Sequence, residues 1–245
     1  NGSNTVEAIF WLSVAAVAYA YVGYPVLLSF ISKIRPKPVH SADWTPSVSV
    51  IIAAYNEERD LATKLENTLA LDYPKSQLEI IVTSDCSSDR TDEIAKSFAS
   101  RGVRLHRQPE RHGKTAAQNA AVTIAHGDII LFSDATTHYQ PDVIRLLTPS
   151  FADESVGCAT GRVIYQDDKS SSVGAGTQSY WNYEFFLKRH ESNVCSLIGV
   201  CGCMYAVRKS AYVPLYNDAC SDFIIATTMV EQGLRAVYIP EAVCM

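Results

Sequence analysis

The sequence predicts an α/β domain with a mostly parallel central sheet, set behind one N-terminal membrane-spanning helix. Three observations point there. Residues 8–32 contain no charged side chain. Short β-branched or apolar runs recur at 48–53, 78–82, 103–106 and 129–132. Between them lie stripes of helical spacing, Leu61, Leu65 and Leu69 in one, and Ala116, Ala117, Ala120, Ala121 and Ile124 in another. Strands that alternate with helices stack into a parallel sheet covered on both faces.

The uncharged stretch comes first. At ~1.5 Å rise per residue it spans a hydrocarbon layer roughly 30 Å thick. A secretory signal has a shorter apolar region behind basic residues, whereas the flank here carries only Glu7. A buried core helix is the remaining alternative. Trp11, Tyr19, Tyr21 and Tyr24 are interspersed, and Gly23, Tyr24 and Pro25 predict a kink. Lys33, Arg35 and Lys37 follow at once, which by the positive-inside rule puts the rest of the chain in the cytoplasm. Asn1, Gly2 and Ser3 match a glycosylation sequon, a pattern too short to carry weight. Residues 35–46, with Pro36, Pro38 and Pro46, read as an extended linker.

Composition narrows the function classes. The 245 residues suit one catalytic-size domain with an appendage. A net charge of −5 excludes the basic footprint of a nucleic-acid binder, so no nucleic-acid partner is expected. Seven cysteines make an odd count without repeated spacing, and Cys195, Cys201 and Cys203 lack a Cys-x-x-Cys pair or a nearby His. They read as reduced thiols, in keeping with a reducing compartment. Both ends, Asn1 and Met245, read as cuts in a longer chain.

In a parallel sheet ligands bind beyond the carboxyl ends of the strands, so the loops there are searched for chemistry. The first strand runs into Ala53, Ala54, Tyr55, Asn56, Glu57 and Glu58, with no G-x-G-x-x-G, which argues against a dinucleotide oxidoreductase. The second ends in residues 84–91 (SDCSSDRT), dense in turn and cap formers. Arg111, His112, Gly113 and Lys114 open the alanine-striped helix and form either an anion site or a solvated turn. The fourth strand ends in Asp134, Ala135 and Thr136, where a carboxylate can hold a hard divalent cation together with substrate phosphates. Residues 169–176, rich in Ser and Gly, read as a loop, and residues 178–191 as an aromatic helix with Tyr180, Trp181, Tyr183 and Phe185. A helix starts at Ser221 and Asp222, passes Met229 and Glu231 and ends near Gly233, before a strand at 235–239. Asp222 is either its cap or a base aimed into the cleft; spacing does not decide.

Taken in this order, the segments resemble the inverting family 2 glycosyltransferases, in particular the membrane-bound, polysaccharide-synthase-like members. The resemblance covers nearly the whole chain. It rests on residues 48–58 (VSVIIAAYNEE), Asp85 in its Ser-rich turn, 111–114 (RHGK) followed by Asn119, 134–136 (DAT), 199–208 (GVCGCMYAVR), Ser221 and Asp222, Gln232 and Gly233, and 239–242 (IPEA). Residues 21–25 (YVGYP) before a basic, proline-rich segment look like the first helix of such proteins.

The resemblance implies a GT-A fold over residues 47–245, truncated at its C-terminus, behind a transmembrane helix at 6–34 and a linker at 35–46. It implies that Ala54, Tyr55 and Glu57 line a nucleotide pocket, that Asp85 contacts the base and that Lys114 approaches the base or diphosphate. Asp134 would hold Mg2+ or Mn2+ on the diphosphate, Asp222 would be the general base, and Trp181 and Glu184 would lie toward the acceptor. The donor implied is a nucleotide sugar, with a UDP-sugar first in line, and the acceptor a glycan or lipid-linked sugar. The chain departs from the family pattern where Thr136 replaces a second carboxylate and Ser221 replaces an acidic residue. Those departures motivate an alternative, a membrane-tethered module that binds nucleotide sugars without turnover. A sugar nucleotidyltransferase would need a Gly-rich, basic loop after the first strand, which residues 53–58 do not supply.

Overall fold

The computed structural model describes residues 2–164 and 172–245. A long N-terminal helix is built from α1 (Gly2–Ala18), a π turn (Tyr19–Gly23) and α2 (Tyr24–Ile34). The expected kink at Pro25 is absorbed without a break: Tyr24 N–H donates to the Tyr19 carbonyl, five residues back. Widening one turn in this way makes room for the proline, which has no N–H to give. Val6, Ile9, Phe10, Trp11 and Leu12 are all exposed, so this helix is not the core helix of a soluble domain. The apolar run over Asn4–Ile34 is long enough to cross a membrane.

Residues 36–47 form neither helix nor strand and are tied to the domain. Lys37 N–H donates to the Asn193 carbonyl at 2.7 Å, and the buried Arg235 guanidinium donates to the carbonyls of Lys37 and Ser192 at 2.8 Å each.

The domain is a seven-stranded sheet with helices on both sides. Its strands are β1 (Val48–Ala54), β2 (Leu78–Ser84), β3 (Val103–Arg107), β4 (Ile129–Asp134), β5 (Val156–Val163), β6 (Met204–Arg208) and β7 (Arg235–Cys244). The helices are α3 (Leu61–Leu69), α4 (Thr91–Ser97), α5 (Lys114–Ile124), α6 (Val143–Leu147), α7 (Ser172–Val194) and α8 (Ser221–Glu231). The order is β3-β2-β1-β4-β6-β5-β7. Pairing is parallel from β3 to β4 and between β5 and β7, and antiparallel on both sides of β6. The mostly parallel sheet expected from the sequence is therefore present, with one reversed strand that the apolar runs did not reveal.

Alternation along the strands sorts the core into two layers. Val48, Val50 and Ile52 of β1 pack with Leu61 and Leu65 of α3 and with Val143 and Leu147 of α6. Ile51 of β1, with Ile130 and Phe132 of β4, packs with Ala121 of α5 and with Ile225 and Met229 of α8. The strands run longer toward their carboxyl ends than their apolar runs, because the Ser84 and Asp134 positions still pair with β1.

Two expectations change in the second half. Residues 172–176, expected within a loop, form the first turns of α7, and residues 169–171 lie outside the described residues. The aromatic helix is accordingly longer than residues 178–191, and it packs along α2. Tyr24 Oη donates to Glu191 Oε1 at 3.0 Å, and Ser32 Oγ lies 2.7 Å from His190 Nδ1.

Candidate active site

The chain leaves β1 toward β2 on one side, while β4 pairs on the other, so the carboxyl ends of β1 and β4 diverge. A crevice at such a point is where open α/β sheets bind ligands. A cleft of about 330 Å³ opens there, lined by Ala54, Tyr55, Glu57, Asp85, Lys114 and Asp134 among others. All six residues that the sequence marked for a nucleotide sugar thus share one cavity.

The loops are fixed by their own polar side chains. Asn56 adopts a left-handed backbone with φ of 56°, which Asn tolerates better than most residues. Its Oδ1 accepts from Ser88 N–H at 2.9 Å, while its own N–H donates to Ser87 Oγ at 3.2 Å. Asp89 accepts from the Thr91 hydroxyl at 2.5 Å and from Glu58 N–H at 3.0 Å. The cap-forming segment 84–91 therefore zips the β1 loop to the β2 loop.

Asp85 has a defined task in this geometry. Its two carboxylate oxygens accept from the backbone N–H groups of His112 and Gly113, at 2.9 and 2.8 Å. Gly113 makes this possible with φ of 92° and ψ of 167°, a conformation essentially closed to side-chain-bearing residues. The anchored loop sets the Arg111 guanidinium 3.9 Å from the centroid of the Tyr55 ring, as a cation–π pair.

Lys114, the first residue of α5, ion-pairs with Asp134 and donates to the Gly202 carbonyl at 3.1 Å. Gly202 in turn lies against Asp222: a Cβ at that position would sit 2.7 Å from Asp222 Oδ2. Asp222 is not part of the cleft lining but stands next to it across Gly202. It is in the first turn of α8, where the helix end favours a carboxylate, and its Oδ1 accepts from the Cys220 thiol at 3.0 Å. The loop leading to it is latched to α5, since Asn119 accepts from the Tyr212 hydroxyl at 2.8 Å and donates to the Leu215 carbonyl at 2.7 Å.

Acidic groups crowd the mouth. Burial raises the Glu57 carboxyl above its ordinary value, and the charges of Asp60, Asp134 and Asp89 add to the rise. Among the described residues no group of three His, Cys, Asp or Glu side chains is placed to hold a metal ion. The Asp134 carboxylate, 34% exposed, fits a hard cation only in company with ligand oxygens, the manner in which Mg2+ commonly binds phosphates.

Trp181 and Glu184 do not line the cleft. Trp181 packs on the core and against the rings of Tyr180 and Phe185, while Glu184 lies 3.9 Å from Lys188. Two features escaped the sequence. Lys64 is fully buried in α3 behind the β4 loop, where its Nζ donates to the Thr137 carbonyl at 2.6 Å and lies 3.6 Å from the Tyr139 ring centroid. Burial lowers its pKa to about 7. The available signal was its position, three residues after Leu61 on the stripe that faces the core. The other is Gly202, whose carbonyl and bare Cα join the two sides of the site.

Comparison with known proteins agrees with this geometry. The family description Glycosyl transferase family 2 matches residues 49–214. An N-acetylglucosaminyltransferase of Mesorhizobium japonicum is 29% identical over 230 residues, which cover 84% of this chain and 52% of that protein. A beta-monoglucosyldiacylglycerol synthase of Trichormus variabilis is 27% identical over 170 residues, 68% of this chain and 36% of that protein. This chain thus spans about half or less of these relatives. Among solved structures, a mannosyltransferase from Pyrobaculum calidifontis in complex with GDP-Man and Mn2+ superposes with a TM-score of 0.78 at 26% identity, covering 94% of this chain and 66% of that one.

Proposed function

The chain belongs to glycosyl transferase family 2, and from that we propose that it moves a sugar from a nucleotide-sugar donor to an acceptor hydroxyl, with inversion at the anomeric carbon. The observation that carries the proposal is the continuous line from Asp134 through Lys114 and the Gly202 carbonyl to Asp222. It joins a cleft suited to a nucleoside diphosphate to a carboxylate suited to take a proton.

In this reading the nucleobase stands by Tyr55, Arg111 and the Asp85-anchored loop, and the sugar diphosphate extends toward Lys114 and Asp134. Ala54 and Glu57 complete the donor wall. Asp134 is the residue to hold Mg2+ or Mn2+, which when bound neutralises charge on the diphosphate. Asp222 removes the proton from the acceptor hydroxyl as its oxygen attacks the anomeric carbon from the face opposite the diphosphate. Lys114 and Arg111 stabilise the charge that develops on the departing nucleoside diphosphate. The structural neighbour that holds GDP-Man and Mn2+ supports the donor class and the metal. A UDP-sugar remains the donor of first choice.

The acceptor is a glycan or a lipid-linked sugar reaching the site near α7, with Trp181 and Glu184 on its path. The apolar helix anchors the protein, with Lys33, Arg35 and Lys37 holding the domain on the cytoplasmic face. The relative named as a beta-monoglucosyldiacylglycerol synthase supports an acceptor carried on lipid.

The test is release of nucleoside diphosphate by the natural full-length protein in nanodiscs, over a panel of UDP- and GDP-sugars with and without Mn2+. One donor should be turned over in a metal-dependent way, and Asp222→Asn should lower the rate by about 100-fold or more. Binding without turnover across a broad acceptor set would favour the non-catalytic binding module instead.

A further inference from the structure

The turn that connects the two sides of the site carries two thiols. Cys201 and Cys203 flank Gly202, and their sulfurs lie 3.2 Å apart. A third thiol, that of Cys244 at the end of β7, lies 3.8 Å from Cys203 Sγ. These residues meet because β6 runs against β4, so that its first residue, Met204, pairs with Ser133 at the cleft edge, where β7 also ends.

The turn is held by several backbone hydrogen bonds. Cys201 N–H donates to Thr160 Oγ1 at 3.1 Å, Met204 N–H to the Cys201 carbonyl at 3.0 Å, and Val200 N–H to the Asp222 carbonyl at 2.9 Å. The Tyr139 hydroxyl donates to the Cys203 carbonyl at 3.3 Å. Displacement of the turn is therefore transmitted to Asp222 and, through the Gly202 carbonyl, to Lys114.

We propose that Cys201 and Cys203 form a reversible oxidation site, converted to a disulfide by hydrogen peroxide or a low-molecular-weight disulfide, and that this bond stops sugar transfer by pulling Gly202 away from Lys114 and Asp222. The inhibitory part rests on the transferase reading given above.

The chemistry balances. Hydrogen bonds from the Cys203 and Cys244 thiols hold the Cys201 thiol well below its ordinary range, while the Cys203 thiol is pushed up to about 12, so Cys201 is the thiolate of the pair. It attacks a peroxide oxygen to give a sulfenic acid and, with one proton taken up, water. The sulfur of Cys203, half-buried beside it, then attacks the sulfenic sulfur as its own proton leaves with the hydroxyl as a second water. Two thiols lose two protons and two electrons, and peroxide leaves as two waters. With a low-molecular-weight disulfide the same pair of attacks releases two small thiols. The pairing is favoured because the two sulfurs already lie 3.2 Å apart on one turn.

A bond between residues two apart has only Gly202 to absorb the change. The sulfurs must close to about 2.05 Å with a Cβ–S–S–Cβ angle near 90°. The strain falls on the residue whose carbonyl holds Lys114, and strained disulfides are the easily reduced, switchable ones.

The experiment treats the reduced full-length protein with glutathione disulfide or hydrogen peroxide, maps disulfides by peptide mass spectrometry, and measures nucleoside diphosphate release before and after dithiothreitol. A Cys201–Cys203 bond should form, transfer should fall at least about tenfold, and dithiothreitol should restore it. Cys203→Ala should stay active under the same oxidant. Exposed Cys195 serves as the internal control, and Cys220, whose thiol donates to Asp222, is replaced by Ser throughout. Modification of Cys195 while Cys201 and Cys203 remain thiols, or a bond from Cys203 to Cys244 instead, overturns the site. A mapped Cys201–Cys203 bond with an unchanged rate overturns the switch. A reduced protein that binds no nucleotide sugar sinks the transferase reading, whereas the disulfide map decides the thiol site without it.

Discussion

From β3 to β4 every strand points the same way and delivers the loop after it to the cleft. Beyond β4 the pattern reverses: β6 runs backward, so it brings to the same edge the turn that precedes it. The first half supplies Tyr55, Glu57, Asp85, Lys114 and Asp134, which line the cleft. The second supplies Gly202, whose carbonyl accepts from Lys114, and Asp222, which lies against Gly202. A parallel sheet yields cleft loops by repetition, whereas the reversed strand brings the Gly202 turn, with Asp222 against it, to the same edge, and there the proposed reaction has its proton acceptor.

The largest effect on the binding half is expected from Asp85→Ala. The N–H groups of His112 and Gly113 then lose a charged acceptor, and the Arg111–Lys114 loop loosens. At about 1.5–3 kcal/mol for such bonds, donor affinity should weaken roughly 10- to 100-fold by calorimetry. An unchanged affinity would mean that the loop needs no anchor and that the two halves are not distinguished by binding.

Gly202→Ala probes the join. A methyl group cannot sit 2.7 Å from Asp222 Oδ2, so the carboxylate must shift. Transfer should fall about tenfold or more with donor affinity within about threefold, as expected when a catalytic group is misplaced by a fraction of its bond reach. Equal losses of both would assign Gly202 to the binding half.

Lys64→Met tests the support behind the β4 loop. The folded-state pKa of about 7 lies below the unfolded value of about 10.4. Between those values the unfolded chain binds a proton that the folded chain does not, so this group adds stability as pH rises through the window, by up to roughly 1.4 kcal/mol per unit. In denaturant melts the stability of the wild type should gain on that of Lys64→Met from pH 7 to pH 10. A constant difference would mean that the amine keeps its charge throughout.

The smallest effect concerns Cys86, which follows Asp85 with φ of 59°. Left-handed backbone costs a side-chain-bearing residue roughly 1–2 kcal/mol, so Cys86→Gly should stabilise the protein by up to about 1 kcal/mol in urea melts. A destabilised variant would show that the Cys86 sulfur, 3.5 Å from the Pro109 carbonyl, matters more than the strain.

The contrast between the halves also explains what the sequence disclosed. β1 to β4 are short apolar runs bounded by Asn, Asp, Ser and Gly, and those turn formers are the residues that build the cleft, so strands and binding loops were read together. β5 and β6 gave no such signal. β5 contains Gly157 and Gly161, which bring neighbouring side chains and backbone within reach of the strand, and nothing local in Met204–Arg208 announces an antiparallel partner. The convergence of Cys201, Cys203 and Cys244 depends on that reversal and is invisible in their spacing. Lys64 was hidden differently, as a charged residue on an apolar stripe that buries its whole length. Trp181 and Glu184 are read from residue type, which does not disclose that Trp181 packs on the core and on the rings of Tyr180 and Phe185 or that Glu184 lies by Lys188.

The division between a half that binds and a half that reacts is tested most directly by titrating the donor, with Mn2+, into the wild type, Asp85→Ala and Asp222→Asn, and measuring turnover on the same samples. Donor affinity of Asp222→Asn should stay within about threefold of the wild type while its turnover falls about 100-fold or more, with Asp85→Ala losing affinity first. An Asp222→Asn protein that loses donor affinity in step with turnover would contradict that division and place Asp222 among the groups that merely hold the ligand.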